Sequence, residues 1–171
     1  MLNMNWKLEQ REKEGKIIKT GIVGAGQMGR GMVTQMVLMK GMTPAIVSDI
    51  NIDNAVQAFK YAGVKDEDIV VAKTIEEANA GIAAGKYVAC ESADFISQAE
   101  GVECAIDCTG VPDVGAKVAT DAMANGKHVV MLNVETDVVI GPYLDKFAKD
   151  HGVIYTGSAG DEPGAVMELY C

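Results

Sequence analysis

Short runs of consecutive apolar residues recur along this chain, separated by longer segments whose apolar positions return every three or four residues. The first pattern suits a strand buried on both faces, and the second suits a helix with one apolar face. Strands are therefore expected over residues 17–23, 43–49, 87–90, 103–108, 128–133 and 153–156. Helices are expected over about residues 27–39, 54–61, 93–99, 114–124 and 142–149, with a further one beginning at Ala165. Pro44 lies near the start of its run, where a missing N–H is tolerated. Residues 65–86 interrupt the alternation. Within them Thr74-Ile75-Glu76-Glu77 has capping-box spacing, so a helix is expected from there to about residue 84, with no role beyond cover. Residues 1–15 read as a short helical arm, with Trp6 and Leu8 available to dock, and residues 16–171 as one domain.

Strands alternating with helices, each strand a continuous apolar run, imply an α/β fold with a parallel sheet covered on both sides. The right-handed crossover rule then gives a doubly wound sheet of the Rossmann type, strand order 3-2-1-4-5-6. Ligands of such a sheet bind outside the carboxyl ends of its strands. The stretch there is Gly24-Ala25-Gly26-Gln27-Met28-Gly29, between the first strand and the first long helix, with Asp49 ending the next strand twenty residues beyond Gly29. Together these form the fingerprint of a dinucleotide-binding βαβ unit. Gly24 makes the tight turn, Gly26 lets a pyrophosphate approach the backbone, and Gly29 lets helix and strand pack closely. The phosphates meet the unpaired N–H groups of the helix start, at residues such as Gln27 and Met28.

Asp49 is placed to accept hydrogen bonds from the adenosine ribose, which favours NAD, although Arg30 and Asn51 could reshape the pocket for NADP. The plainer alternative makes Asp49 a turn or cap residue. Thr109 and Gly110, in Thr109-Gly110-Val111-Pro112 after the fourth strand, would border the cofactor, and Pro112 would open the next helix. Asn133 and Glu135 follow the fifth strand, and Asp161 and Glu162 lie in Gly160-Asp161-Glu162-Pro163-Gly164. These four would lie near the nicotinamide end, where the three carboxylates could orient a polyol or amino-acid substrate or hold a cation; Asp161 and Glu162 could equally stabilise a helix start. No catalytic residue is assigned.

His128 and His151 both precede strands, at the end of the sheet away from the ligand, so neither is expected to act as acid or base. Met28, Met32, Met36 and Met39 lie at helical spacing and read as filling for the helix–sheet interface. Cys104 and Cys108 stand four apart in one strand, about 13 Å at the usual rise, too far to share a zinc ion. The four cysteines read as thiols, and no metal is expected. With 171 residues, 49% apolar and 23% charged, the chain can bury a real core and has no apolar run of membrane-spanning length. A net charge of -9 opposes binding to nucleic acid or anionic membranes. A polar amino terminus without a secretory pattern points to the cytoplasm.

The Leu8-Glu9-Gln10-Arg11 segment, the glycine turn, Gly126-Lys127-His128-Val129-Val130-Met131-Leu132-Asn133-Val134-Glu135, Gly141-Pro142 and Gly160-Asp161-Glu162-Pro163 resemble the homoserine-dehydrogenase-like oxidoreductases that carry a C-terminal SAF domain. That group includes deoxyxylulose-phosphate reductoisomerase-like enzymes. The resemblance implies that residues 24–29 bind the cofactor pyrophosphate, that Thr109 and Gly110 border it, and that Asn133, Glu135, Asp161 and Glu162 face the active site. It further implies hydride transfer between NAD or NADP and a small hydroxy or oxo substrate, with a homo-oligomer allowed. Members of the group continue into a substrate domain, so this chain is expected to be the cofactor half and inactive alone. The rival expectation is a non-catalytic dinucleotide-binding module, acting as a sensor or with a separate partner chain. A nucleotide other than NAD(P) is a third, because fold alone does not fix the ligand.

Overall fold

The computed structural model describes residues 4–158. A leading helix α1 (Asn5–Lys13) is followed by β1 (Ile18–Val23), α2 (Gln27–Leu38), β2 (Met42–Ser48) and α3 (Ile52–Tyr61). Next come a one-turn 3₁₀ segment (Asp66–Asp68), β3 (Ile69–Val71), α4 (Ile75–Ala83), β4 (Tyr87–Cys90) and α5 (Asp94–Gln98). The domain is completed by β5 (Cys104–Asp107), α6 (Pro112–Ala124), β6 (His128–Met131), α7 (Val134–His151) and β7 (Tyr155–Gly157). All seven strands pair in parallel in the order β3-β4-β2-β1-β5-β6-β7.

The expected α/β class and the expected succession of six strands are present, and the order differs by one added strand. β3 lies in the segment read as cover and extends the sheet past β4, with Ile69 paired to Tyr87 and Val71 to Ala89. Three residues are too few to show a period, and none of this short β-branched run is fully buried at the sheet's edge, with Val71 exposed. The helix expected there does form: Thr74 accepts a hydrogen bond from the Glu77 N–H at 3.3 Å, and the Glu77 carboxylate accepts one from the Lys73 N–H at 2.7 Å.

Two apolar layers sandwich the sheet. On one side Val33 and Met36 of α2 and Ala55, Ala58 and Phe59 of α3 close over Ile22, Val47, Ala89 and Ile106. On the other, Ala78, Ile82, Ile96, Met123 and Leu144 cover Ile46, Val88, Ala105 and Val129. Met32 and Met39 join the first layer, whereas Met28 leaves the stripe and is 62% exposed at the carboxyl end of the sheet. Helix α1 lies across the chain at Gly41, where a Cβ would stand 2.0 Å from the Leu8 carbonyl oxygen. Leu8 is half-buried, while Trp6 remains exposed. Ion pairs Arg11–Glu103 and Glu9–Lys40, both 3.6 Å, flank this contact.

Helix α7 differs most from expectation. It begins at Val134 rather than at Pro142, because the Asn133 side chain caps it by accepting the Thr136 N–H at 3.1 Å. Pro142 sits inside it on an exposed face, where water can satisfy the carbonyl of Val138 that lacks its helical partner.

Candidate functional site

The carboxyl ends of β1, β2, β5 and β6 converge on one crevice, and its centre is the turn after β1. Gly24 has φ 90°, a left-handed conformation, and donates its N–H to the Ser48 carbonyl at 2.8 Å. A Cβ at Gly29 would stand 1.8 Å from the Gly24 carbonyl oxygen, so α2 can approach the turn only with glycine there. Gly26 is different in kind. Its φ is −66°, a Cβ would meet nothing within 4 Å, and it is the N-cap of α2 with no side chain capping the helix. The first-turn N–H groups of α2 therefore open onto free space, with the positive end of the helix dipole behind them. This is a built cradle for an anion.

Asp49 follows β2 and is half-buried. Its Oδ2 accepts the Ala25 N–H at 2.7 Å, and its Oδ1 accepts the Asn51 N–H at 2.9 Å and the Asn54 side-chain amide at 3.1 Å. The carboxylate thus fixes the glycine turn against the start of α3. It retains acceptor capacity for a ligand hydroxyl, because a carboxylate offers about four lone-pair directions. Arg30 does not face Asp49 for a pairing: its guanidinium stacks over Tyr61, 5.0 Å from the ring centroid. Asn51 accepts the Asp53 N–H as the cap of α3.

Two cavities meet at the turn and share Gly26, Cys108 and Thr109. The smaller, about 400 Å³, lies on the Asp49 side and is walled by Ile50, Asn54, Glu91, Val111 and Val114. Ile50 is 97% exposed there, an apolar face presented to whatever enters. The larger, about 610 Å³, lies beyond the turn and is lined by Gln27, Met28, Gly110, Leu132, Glu135 and Ser158 among others. Among the described residues, neither cavity wall contains Lys, Arg or His. Burial pushes the Cys108 thiol up to about 12, with the nearby Asp107 charge adding to it, so it is no nucleophile at neutral pH.

Asn133 was expected against the cofactor. It is 1% exposed and lines neither cavity. Its Nδ2 donates to Asp107 Oδ2 at 2.8 Å and lies 3.1 Å from the Val111 carbonyl and 3.2 Å from Thr109 Oγ1, while Oδ1 caps α7. Asp107 is fully buried at the end of β5 and also accepts the Thr109 N–H at 3.1 Å. Burial raises its pKa above the usual carboxylate range, and the bonds from Asn133 and Thr109 oppose that rise. Gly115 of α6 leaves room for this pair: a Cβ there would stand 2.2 Å from Thr136 Oγ1 and 2.5 Å from Asp107 Oδ2. The network ties the 109–112 loop to the start of α7 and so sets both walls of the larger cavity.

Gly24, Gly26, Gln27, Met28, Gly29, Asp49, Thr109, Gly110 and Glu135 are thus gathered around one crevice, either lining it or shaping its turn. Asp161, Glu162 and the helix expected from Ala165 lie outside the described residues. Asp107, Ile50 and Glu91 were not anticipated. A signal for Asp107 existed, since it is the one charged residue within the apolar run Ala105-Ile106-Asp107-Cys108. His128 lies at the opposite end of the sheet, where its Nδ1 accepts the Ile154 N–H at 3.1 Å. Among the described residues, no helix is long and apolar enough to cross a membrane.

No protein-family model matches the chain, and no curated protein matches it. Solved structures do. A scyllo-inositol dehydrogenase from Lactobacillus casei, determined with bound NAD(H) and scyllo-inositol, superposes with a TM-score of 0.58 at 17% identity, over 84% of this chain and 36% of that one. A homoserine dehydrogenase from Thiobacillus denitrificans gives 0.56 at 19% identity, over 83% of this chain and 29% of that one. An NAD-binding oxidoreductase from Klebsiella pneumoniae gives 0.56 at 15% identity, over 83% and 34%. At such identities the likeness is one of fold, and the chain spans about a third of the length of these structures.

Proposed function

We propose that this chain is the nicotinamide-dinucleotide-binding half of an oxidoreductase that transfers hydride between the cofactor and a small polar hydroxy or oxo substrate. The observation that carries the reading is the contrast among the three glycines. Gly24 and Gly29 are required by the fold, whereas Gly26 has free space around it at an uncapped helix start, which fits a pyrophosphate. The two cavities on either side suit the two halves of a dinucleotide. In this reading Asp49 holds the adenosine ribose, Ile50 and Val111 supply apolar surface to the adenine, and Thr109 and Gly110 border the nicotinamide end beside Glu135. Among the described residues the smaller cavity has two carboxylates, Asp49 and Glu91, in its wall and no cation, an arrangement that favours NAD over NADP.

The bound cofactor would supply the redox chemistry, and the protein's own groups orient it and shape the space for the substrate. The dehydrogenases of polyols and of homoserine that share the fold, and the motif resemblance, support a homoserine-dehydrogenase-like enzyme that works with a further substrate domain. Asp161 and Glu162 join Glu135 as substrate-side candidates. Calorimetric titration with NADH and with NADPH tests the reading. We expect saturable binding with NADH preferred, and at least tenfold weaker binding in Gly26→Val with an unchanged melting temperature. Undiminished affinity in that variant would remove the assignment.

A further inference from the structure

The larger cavity carries a charge, that of Glu135, which the reading above places on the substrate side without asking what it does to the cofactor. Glu135 is the second residue of α7 and lines the cavity with Gln27, Thr109, Gly110 and Ser158. A Cβ built on Gly110 would lie 3.9 Å from Glu135 Oε2, which sets the carboxylate against the loop after β5. Among the described residues Glu135 has no ion pair and no side-chain hydrogen bond. Residues 152–171 contain no Lys, Arg or His.

We propose that Glu135, facing the nicotinamide-side cavity with no cation beside it among the described residues, makes this site favour the oxidised, cationic nicotinamide over the reduced, neutral one. The proposal rests on the assignment of the nicotinamide to this cavity. The two forms differ by a hydride, and the ring of NAD+ carries a positive charge that the ring of NADH lacks. A carboxylate near the ring therefore acts on the difference between them, whereas contacts to ribose and phosphates are common to both. At about 5 Å, attraction between unit charges changes an affinity about fourfold at the dielectric of water and more than a hundredfold at an effective dielectric of ~20. Glu135 is exposed, so the low end applies, roughly fivefold to tenfold. A tenfold bias toward the oxidised form lowers the potential of the bound couple by about 30 mV. The site would thus hold the form that accepts a hydride, which suits oxidation of an alcohol.

The test is separate titration of the full chain with NAD+ and with NADH, at low and at moderate salt, for the parent, Glu135→Gln and Asp49→Asn. Expected for Glu135→Gln is a fivefold to tenfold loss of NAD+ affinity with NADH affinity within twofold of the parent, the difference shrinking as salt rises. Retained NADH binding shows that this variant is folded. Asp49→Asn, at the adenosine end, should weaken both forms by the same factor, which separates a local effect from that of overall negative charge. An equal change for both forms in Glu135→Gln, or no change in either, overturns the inference while leaving dinucleotide binding in place. Failure of the parent to bind either form overturns the functional reading and this inference with it.

Discussion

Replacing Asn133 by Leu should expose how the buried pair beneath the site is held. The substitution keeps side-chain volume but removes the amide that donates to Asp107 at 2.8 Å and the oxygen that caps α7. A hydrogen bond to a charged group contributes about 1.5–3 kcal/mol and a helix cap about 0.5–2 kcal/mol, and because Asn133 is only 1% exposed a total loss of about 3–5 kcal/mol is expected. That is a large share of a typical domain stability of about 5–15 kcal/mol. The sign with pH follows from Asp107, whose folded pKa is raised, chiefly by burial. Its ionisation therefore opposes folding: stability is full below the unfolded carboxyl pKa of about 3.9 and is lost as pH rises through the folded value. Removing the Asn133 donor moves that folded value higher still, so the variant's deficit should deepen from pH 5 to pH 7.5. Urea unfolding at the two pH values measures it, and adding Asp107→Asn should recover a large part of the loss at pH 7.5. A deficit of equal size at both pH values, or no recovery in the double variant, would refute the role given to the carboxylate.

Gly29→Ala should prevent native folding or lower the melting temperature sharply, because its methyl would meet the Gly24 carbonyl at 1.8 Å and the backbone on both sides is fixed; a melt close to that of the parent would contradict it. Lys127→Met should cost about 2–4 kcal/mol in denaturant unfolding, since the ammonium of this buried residue donates to the carbonyls of Ala99 at 2.7 Å and Val102 at 2.9 Å, and methionine removes both bonds. Thr74→Ala should cost only about 0.5–1 kcal/mol, the cap bond being long at 3.3 Å, with cofactor affinity unchanged in titration.

The sheet was legible because each buried strand is a continuous apolar run and each core helix carries an apolar face. Where the reading missed, local signals competed. β3 is three residues long at an edge, below the length at which a period can be seen. At α7 the Gly141-Pro142 pair reads as a break, since proline removes a donor and crowds the carbonyl four residues earlier. Tertiary context overrides it: the carbonyl concerned faces water, and the helix is anchored on both sides of the proline by buried Thr136, Leu144 and Ala148. The residues of the Asn133 cap stand in the sequence, but its neighbours Val134 and Glu135 read as the connection after the strand rather than as a first turn.

The same displacement explains which part of the site could be read in advance. The phosphate turn is local in sequence, and its three glycines fall within six residues, so spacing alone assigns each of them a task. The far wall is not local. Glu135 reaches the cavity because α7 starts at Val134; α7 starts there because Asn133 caps it; and Asn133 is fixed by a carboxylate 26 residues earlier on β5. A polar residue after a strand end can face the ligand or support a group that does, and the strand-end rule treats the two alike. Burial separates them: Asn133 at 1% exposure has both ends of its amide bonded within the protein, while Glu135, two residues on, is exposed on the cavity wall. Substitution at Asn133 should accordingly change stability and both cofactor forms together, and substitution at Glu135 should change their ratio.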